Sequence, residues 1–464
     1  MSDGSSTTRL VDVLRGRAAS LAPGDALPST RVLMRTHQVS PGTVAAAVAR
    51  LVADGVLVTT AGRGTFVAAR RRPGRGDFSW QTVALGESRV DGRDVARLVS
   101  PAPEGAAVLS TGYPSPDLQP LAALAAAAGR AARRPAGWSL PPTAGLPELR
   151  QLLAGPIAAD PSDVLVVSGG QAGLSVALRA LGAPGSPVLV EVPTYLGALA
   201  AARGAGLRPV PVPTDDGGLR VDLLAEAFTR TGARLLYLQP TYANPTGTVL
   251  AAERRAGVLE AARAAGAFVI EDDWARYLHL DGPAVSPLLV DDPDGRVVHL
   301  SSLSKATAPS LRIGALTARG PAAARLAAVR VLDELVVARP LQEIAVELLG
   351  SPSWPRHLRR LATALRARRD ALAAAVVQHL QPHGALPPVP PRGGLHLWVA
   401  LPENRDDVEL ADRAKDHQVT VGAGRPYFVT EPPRPYLRLS FAATPEEMAG
   451  SAVERLSHAF AEPG

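Results

Sequence analysis

The residue type that stands out in this chain is lysine, because it is almost absent. Of the 49 Lys+Arg residues, only Lys305 and Lys415 are lysines. A guanidinium stays protonated, whereas an amine can lose its proton, attack an aldehyde and form a Schiff base. Lys305 follows Ser302 and precedes Arg312, so it is a candidate carrier of pyridoxal phosphate (PLP). A coding bias against lysine would leave the same composition, and we assign Lys415, in the polar run 412–418, to that bias.

The segments around Lys305 alternate between two patterns. From about residue 145, helical segments are separated by short β-rich ones. This alternation predicts a mostly parallel sheet covered by helices, in which ligands bind at the carboxyl ends of the strands. The predicted strands are 164–167, 187–191, 234–238, 267–271, 297–300 and 313–317.

A polar or aromatic motif follows each of the first five predicted strands. A Gly-Gly turn opens a helix whose free N–H groups suit a phosphate, and a hydroxyl and a guanidinium beside the amine suit it as well. Between them come an aromatic ring that can stack on a flat ring, an amide, and a carboxylate that can hold a pyridine nitrogen protonated. Each motif alone is ambiguous, but the ordered set matches the needs of PLP. In chain order these residues are Gly170 with Gln171, Tyr195, Asn244, Asp272, and Ser302 with Arg312.

The positive charge of the chain is concentrated at one end. Residues 1–76 contain 11 arginines and four aspartates, a net charge of +7, whereas the remainder carries −1. This is expected of a segment that meets a polyanion, although a solvated basic tail would look similar.

Composition also limits the class of protein. The chain has no cysteine, which excludes disulfides and thiolate metal sites. We recognise neither a signal peptide nor an apolar run long enough to span a bilayer. We therefore expect a cytoplasmic protein without a metal site or a membrane partner.

The first 70 residues have the pattern of three helices and a hairpin. Helical spacing covers 10–22, and a short helix at 31–34 follows a possible cap at Ser29. A third helix begins at Ser40, with Pro41 at its first position, and ends near Asp54. Strands at 56–60 and 65–68 flank a tight turn at 61–64. The order predicts a winged helix-turn-helix.

This segment resembles the GntR family of DNA-binding domains in residues 27–31 (LPSTR), 40–44 (SPGTV) and 62–67 (GRGTFV). The resemblance implies that the third helix enters the major groove and that the wing approaches the backbone or minor groove. Pro41 stands where the family usually has arginine, so one contact is expected to be missing. A winged helix used only for protein contacts is the alternative. The candidate DNA contacts are Arg31, Arg35, Thr43, Arg50 and Arg63.

Residues 108–464 resemble a fold-type I PLP enzyme of the aminotransferase class, with large and small subdomains. The whole chain resembles the MocR family of GntR-type regulators, and runs 393–397 (GGLHL) and 437–442 (LRLSFA) add C-terminal signatures. We predict a winged helix-turn-helix domain at 1–70, a linker at 71–107 and the PLP-binding domain at 108–464. By resemblance, Lys305 forms the internal aldimine, Asp272 pairs with the pyridine nitrogen, and Asn244 bonds the ring oxygen. Arg438 would bind the carboxylate of an amino-acid-like ligand. The remaining cofactor residues by resemblance are Tyr195 against the ring, and Ser302, Arg312, Gly170 and Gln171 at the phosphate.

Two positions depart from the aminotransferase pattern. Related proteins have a tyrosine two or three residues after the aspartate, where this chain has Trp274 and Ala275. Leu140 replaces a tyrosine that commonly reaches the phosphate of a neighbouring subunit. Both departures weaken the case for fast transamination more than the case for cofactor binding.

We therefore expect a transcriptional regulator that binds promoter DNA and senses PLP, alone or as an aldimine with an amino compound. The alternatives are a working PLP-dependent aminotransferase, acting on an amino acid or amine, and a PLP-binding scaffold. The resemblance also implies a domain-swapped, head-to-tail homodimer with composite PLP sites.

Overall fold

The computed structural model describes residues 3–60, 63–68, 78–85, 92–98 and 100–461. The chain divides into two compact units, residues 1–87 and 88–464. The predicted linker run 70–76 and the first half of the predicted turn, 61–62, lie outside the described residues. In the described part of the chain, no helix is long and apolar enough to cross a membrane.

The first unit is a winged helix-turn-helix, as predicted. The first three helices bury one apolar side each in a core that draws on this unit alone, with Leu14, Val44 and Leu51 at its centre. The segment before α2 bonds to β2, where Leu27 N–H donates to the Thr65 carbonyl. The elements are α1 (Asp3–Ala19), α2 (Thr30–His37), α3 (Pro41–Ala53), β1 (Leu57–Thr60), β2 (Gly64–Val67) and α4 (Ser79–Leu85).

The two predicted helix caps of this unit differ. The Ser40 side chain accepts a hydrogen bond from Thr43 N–H with Pro41 at the first position of α3, which confirms that cap. Ser29 occupies the N-cap position of α2, but its side chain makes no capping hydrogen bond, so that prediction holds for position only. Phe78, Trp80 and Val83 are exposed.

The second unit contains two subdomains of alternating helices and strands, as predicted. Its helices are α5 (Arg93–Arg97), α6 (Leu121–Arg133), α7 (Pro147–Ala154), α8 (Gly170–Leu181), α9 (Leu196–Gly204), α10 (Val221–Thr231), α11 (Ala252–Ala265), α12 (Pro321–Glu334), α13 (Arg339–Leu349), α14 (Ser353–His379), α15 (Asp407–Arg413) and α16 (Glu446–Ala461). Its strands are β3 (Ala107–Val108), β4 (Val164–Val167), β5 (Pro187–Val192), β6 (Arg208–Asp215), β7 (Gly218–Leu219), β8 (Leu235–Leu238), β9 (Phe268–Asp273), β10 (Val297–Ser302), β11 (Gly314–Thr317), β12 (His396–Ala400), β13 (Val419–Thr420), β14 (Gly422–Ala423) and β15 (Tyr436–Ser440).

The large subdomain is built on an eight-stranded sheet in the order β4-β11-β10-β9-β8-β5-β6-β7. Strands β10, β9, β8, β5 and β6 are parallel, whereas β11 runs antiparallel to both of its neighbours. Strands β4 and β8 are buried along their whole length, as continuous apolar runs covered on both faces should be. The parallel strands therefore direct their carboxyl ends to one edge.

Sequence analysis missed β6, because proline at every second position argues against a strand. Pro209, Pro211 and Pro213 have no N–H, and such residues are tolerated only where the ladder does not need the donor. Arg208 N–H bonds toward β5, at the Ser186 carbonyl, whereas the Pro213 carbonyl accepts from Arg220 on the other side. The prolines thus face away from β5, toward the sheet edge.

The small subdomain has a three-stranded antiparallel sheet in the order β12-β15-β14. Helices α14 and α16 pack on it and share its core. Residues His396 on β12 and Arg438 on β15 lie on neighbouring strands, two pairs apart in the register and therefore on the same face. This sheet therefore brings an imidazole and a guanidinium toward the large subdomain.

Candidate functional site

A cavity of about 930 Å³ in the second unit lies where the carboxyl ends of the parallel strands meet the small subdomain. The structure brings every predicted cofactor and carboxylate residue to its wall. These residues are Gly170, Gln171, Tyr195, Asn244, Asp272, Ser302, Lys305, Arg312 and Arg438.

Lys305 presents its amine to this cavity. Burial of the amine, together with the positive charges of Arg438 and Arg312, lowers its pKa to about 7. The Nζ atom lies 3.5 Å from the centroid of the Tyr113 ring. A large share of the Lys305 amine is therefore neutral, and nucleophilic, near neutral pH.

Asp272, the second-last residue of β9, is buried and held in a fixed orientation. Its Oδ2 accepts hydrogen bonds from the Tyr237 hydroxyl at 2.7 Å and from Gln239 Nε2 at 2.9 Å. Burial raises the pKa of Asp272 to about 6, although these hydrogen bonds act in the opposite direction. A cationic donor in the cavity would stabilise the charged form of Asp272 further.

Gln239 connects Asp272 to two further groups. Its Oε1 accepts from Asn244 N–H at 2.9 Å, and its own N–H donates to Glu191 Oε1 at 2.6 Å. Burial raises the pKa of Glu191 to about 8, so that carboxyl is protonated at neutral pH. Asn244 Oδ1 in turn accepts from Arg438 at 3.4 Å. Gln239 therefore positions both the carboxylate and the amide of the site.

The Arg312 guanidinium packs closely against the start of α8. Gly169 has φ +88°, and a Cβ at this residue would lie 2.7 Å from an Arg312 Nη atom, so only glycine fits there. Arg312 donates to the Ser168 carbonyl at 3.0 Å. A Cβ on Gly170 would lie 3.5 Å from Ser302 Cβ. The N–H groups at the start of α8, a guanidinium and a hydroxyl thus meet at one end of the cavity.

Tyr195 lies just before α9 and is fixed by a neighbouring amide. Its hydroxyl donates to Gln171 Oε1 at 3.0 Å, and Gln171 Nε2 donates to the Gly197 carbonyl at 3.0 Å. The ring is therefore held in place at the cavity wall.

Arg438 and His396 form the wall contributed by the small subdomain. Arg438 is 1% exposed, donates to the Ser110 carbonyl and lies over the Tyr427 ring, 5.3 Å from its centroid. Burial and the charge of Arg438 lower the pKa of His396 well below its ordinary value, so its imidazole is neutral. Within the described part of the chain, Arg438 Nε has no hydrogen-bond partner. A carboxylate in the cavity would satisfy it.

The two departures from the aminotransferase pattern lie in different surroundings, Trp274 at the cavity wall and Leu140 at the surface. Trp274 Nε1 donates to the Tyr242 carbonyl at 3.1 Å, and its ring stacks on His396 with centroids 5.8 Å apart. The indole N–H is therefore used in a hydrogen bond to the backbone. Leu140 is 82% exposed, at the surface of the unit.

Sequence reasoning missed three residues that the structure places at the site: Tyr113, Tyr237 and Gln239. Tyr237 lies within an apolar strand, which gave no sign of its hydroxyl's role. Gln239 follows directly on that strand, so its position at the carboxyl end was an available signal. Tyr113 precedes the alternating helical and β-rich segments that begin near residue 145, and no pattern singled it out.

Among the candidate DNA contacts, the arginines are solvent-exposed, as a contact requires: Arg31 and Arg35 on α2, Arg50 in the last turn of α3 and Arg63 beside the wing. Thr43 is different. It is 6% exposed, and its hydroxyl lies 2.8 Å from the Ser40 hydroxyl. Thr43 thus takes part in the cap and packing of α3, and its contact with DNA stays a prediction.

The geometry of the second unit agrees with a family comparison. The model of the aminotransferase class I and II family matches residues 107–456. The chain belongs to this family. The model of the gntR family of bacterial regulatory proteins matches residues 12–67, and the two matches together give the domain order of the MocR family.

Two relatives and a solved structure illustrate both parts. The uncharacterized HTH-type transcriptional regulator YisV of Bacillus subtilis is 30% identical over 441 residues, covering 91% of this chain and 88% of that protein. The 2-aminoadipate transaminase of Thermus thermophilus is 30% identical over 389 residues, 82% of this chain and 97% of that protein. The crystal structure of LysN, an alpha-aminoadipate aminotransferase from Thermus thermophilus complexed with N-(5'-phosphopyridoxyl)-L-leucine, has a TM-score of 0.73 and 29% identity. It covers 80% of this chain and 97% of that one.

Proposed function

We propose that this aminotransferase-family protein is a PLP-dependent transcriptional regulator. It binds promoter DNA through the winged helix and a small amino compound, with PLP, in the cavity of the second unit. The observation that carries the proposal is a basic winged helix in the same chain as a cavity that gathers Lys305 and its predicted partners.

The residues present fit PLP. The α8 start, Ser302 and Arg312 offer a phosphate N–H groups, a hydroxyl and a guanidinium, and the glycine at 169 lets that guanidinium approach the start of α8. At the other end of the cavity, Tyr237 and Gln239 orient the Asp272 carboxylate, because both donate to its Oδ2 atom. When bound, PLP supplies an aldehyde that reacts with primary amines and a ring that withdraws electrons. The further residues that would hold it are Gly170 and Gln171 at the phosphate, Tyr195 at the ring and Asn244 at the ring oxygen.

The chain's own residues would divide the work as follows. Lys305 offers a neutral amine near pH 7, because its pKa is lowered. Asp272 gains a cationic partner in the pyridinium, which stabilises its charged form. Arg438 binds the carboxylate of the effector through its unpartnered Nε. Trp274 keeps its N–H on the Tyr242 carbonyl and holds His396 by stacking.

Regulation then requires that the effector bind one arrangement of the units more tightly than another. The change in operator affinity equals that difference in binding free energy, by thermodynamic linkage. We also propose domain boundaries at 70 and 107, a cytoplasmic location and a domain-swapped, head-to-tail homodimer, whose mass light scattering would measure.

The cofactor part is tested by the visible absorption of the purified protein after addition of PLP. Lys305→Ala should abolish the absorption band of the lysine-bound cofactor. Lys415→Ala is the matched control, because Lys415 is exposed and bonded to Asp412; it should leave the band unchanged. A wild-type protein that stays colourless with added PLP would overturn the proposal.

The DNA part is tested by footprinting the region upstream of its own and adjacent genes. Binding should weaken steeply with salt, since each phosphate contact adds roughly one unit to the log–log slope. Protection that does not respond to added amino compounds would contradict the sensing role.

A PLP-dependent aminotransferase remains the second candidate, because the chain matches 97% of the length of a transaminase at 30% identity. Repeated turnovers with a panel of amino and keto acids would favour it. Two features favour the regulator: the indole N–H of Trp274 is hydrogen-bonded to the Tyr242 carbonyl, and Leu140 is exposed.

A further inference from the structure

We propose that His357 is a positioning residue, which fixes the turn that carries Lys305 through a hydrogen bond to the Ala306 carbonyl. This inference rests on the proposed function, since Lys305 is the lysine that would carry PLP. His357 lies behind the cavity wall, because the described lining includes Lys305 but neither Ala306 nor His357.

The first observation is the hydrogen bond itself. The Nε2 atom of His357, near the start of α14, lies 2.7 Å from the carbonyl oxygen of Ala306, the residue directly after Lys305. Both residues are buried, and Ala306 shares a core with Trp354 and Leu361 of the same helix. A buried carbonyl that loses its donor is destabilising, so this bond holds the Lys305 turn against α14.

The second observation is the protonation state of the imidazole. A carbonyl oxygen can only accept a hydrogen bond, so Nε2 carries the proton and donates it. Burial lowers the pKa of His357 by more than the bond to Ala306 raises it, and the charge of Arg360 lowers it as well. Within the described part of the chain, Nδ1 has no hydrogen-bond partner. His357 is therefore a neutral donor with a fixed tautomer near pH 7.

The third observation is how the ring and the turn are held. The imidazole packs against the Trp354 ring with centroids 5.6 Å apart, and Trp354 meets the Tyr277 ring edge-on at 5.5 Å. Within the described part of the chain, the other hydrogen bonds of residues 303–307 stay inside 302–313. His357 thus supplies the hydrogen-bond link between this turn and α14.

A fixed turn matters because the pKa of Lys305 depends on where its amine lies. Burial and the two nearby guanidiniums lower that pKa to about 7, although a carboxylate acts in the opposite direction. If the turn loosens, the amine regains water, which favours its charged form and raises its pKa. The groups around the amine are Arg438, Arg312, Asp272, Tyr113 and the neutral His396.

The experiment measures the rate of PLP uptake by full-length, cofactor-free protein as a function of pH, from the visible absorption. His357→Leu removes the donor. It should move the midpoint of the profile up from about pH 7 by roughly one unit, which slows uptake at pH 7 about fivefold. His357→Gln places an amide N–H near the position of Nε2 and should keep the wild-type profile.

Leu372→Ala is the matched control for packing, because Leu372 is buried on the same helix and in the same core, about four turns from His357. It should lower the stability to urea without moving the midpoint. His357→Phe removes the donor but keeps a ring beside Trp354, and it serves if His357→Leu does not fold.

The outcomes separate the two proposals. An unchanged profile in the folded His357→Leu protein, or an equal shift in His357→Gln, overturns the role of the hydrogen bond while leaving the cofactor assignment intact. An equal shift in Leu372→Ala overturns it too, since loosened packing would then be sufficient. Wild-type protein that takes up no PLP at any pH rejects the proposed function and the inference with it.

Discussion

The two units of this chain use charge in opposite ways. In the winged helix, the candidate arginines are exposed, and their positions follow the amphipathic pattern of the helices. In the second unit, Arg438 and Asp272 are buried, and each is held by named partners. The effect of exposed charges depends on how many there are and is screened by salt. The effect of a buried charge depends on where it lies relative to its partners. Variants in each unit can test this contrast.

The largest effect is expected at Asp272. Asp272→Asn removes a buried charge that the bound pyridinium would face, and loss of one member of a buried pair costs about 3–5 kcal/mol. The affinity for PLP, measured by titration of the cofactor-free protein, should fall by roughly a hundredfold or more. Asp222→Asn, at an exposed ion pair with Arg220, is the control and should leave it unchanged. Undiminished affinity of Asp272→Asn would show that the buried carboxylate does not face the cofactor.

The next effect tests whether the units are independent. Leu51 is fully buried in a core made only of residues from the first unit, so Leu51→Ala should destabilise that unit by about 2–5 kcal/mol. DNA binding should be lost at lower temperature, while PLP uptake persists. Val58→Ala, at an exposed position of β1, should change neither. Loss of PLP uptake together with DNA binding would contradict the separation.

A smaller effect concerns pH. The pKa of Lys305 is lowered from 10.5 to about 7 in the folded protein. Below pH 7 the amine is charged in both states, and the folded state carries the burial penalty. Between about pH 7 and 10.5 only the unfolded state binds the proton, so stability rises with pH, by at most about 1.4 kcal/mol per unit. Urea unfolding of cofactor-free protein should show this rise relative to Lys305→Met. Parallel profiles would mean that the pKa is not lowered.

The smallest effect is expected at single DNA contacts. Arg63→Ala should lower the slope of log affinity against log salt by about one unit, if Arg63 neutralises one phosphate. Fluorescence anisotropy with an operator fragment measures this slope. Arg17→Ala, on the exposed side of α1, is the control. Equal slopes for both variants would remove Arg63 from the contact set.

Sequence patterns predicted best what local chemistry determines. The bounds of β4 and the cap at Ser40 agree with the structure, because both depend on residues adjacent in the chain. The cavity residues could be predicted because parallel strands bring their carboxyl ends together. The burial of Thr43 could not be predicted, since it depends on packing that no short motif records.

The partners of the buried charges could not be predicted. Tyr237 and Gln239 reach Asp272 across a separation of more than 30 residues, and neither belongs to a polar motif. The register of β8 against β9 determines which donor bonds to which acceptor. The sequence does not specify that register.

The alternating prolines of β6 bear on whether this protein aggregates in solution. The outer neighbour of β6 is only the two-residue β7, so most of its outward side offers an open ladder. Unpaired strands commonly recruit strands from other molecules and start aggregation. Because Pro209, Pro211 and Pro213 have no N–H, an incoming strand would find no donor at three successive outward positions. The prolines that made β6 hard to recognise in the sequence thus also disfavour pairing of this sheet edge with strands of other molecules.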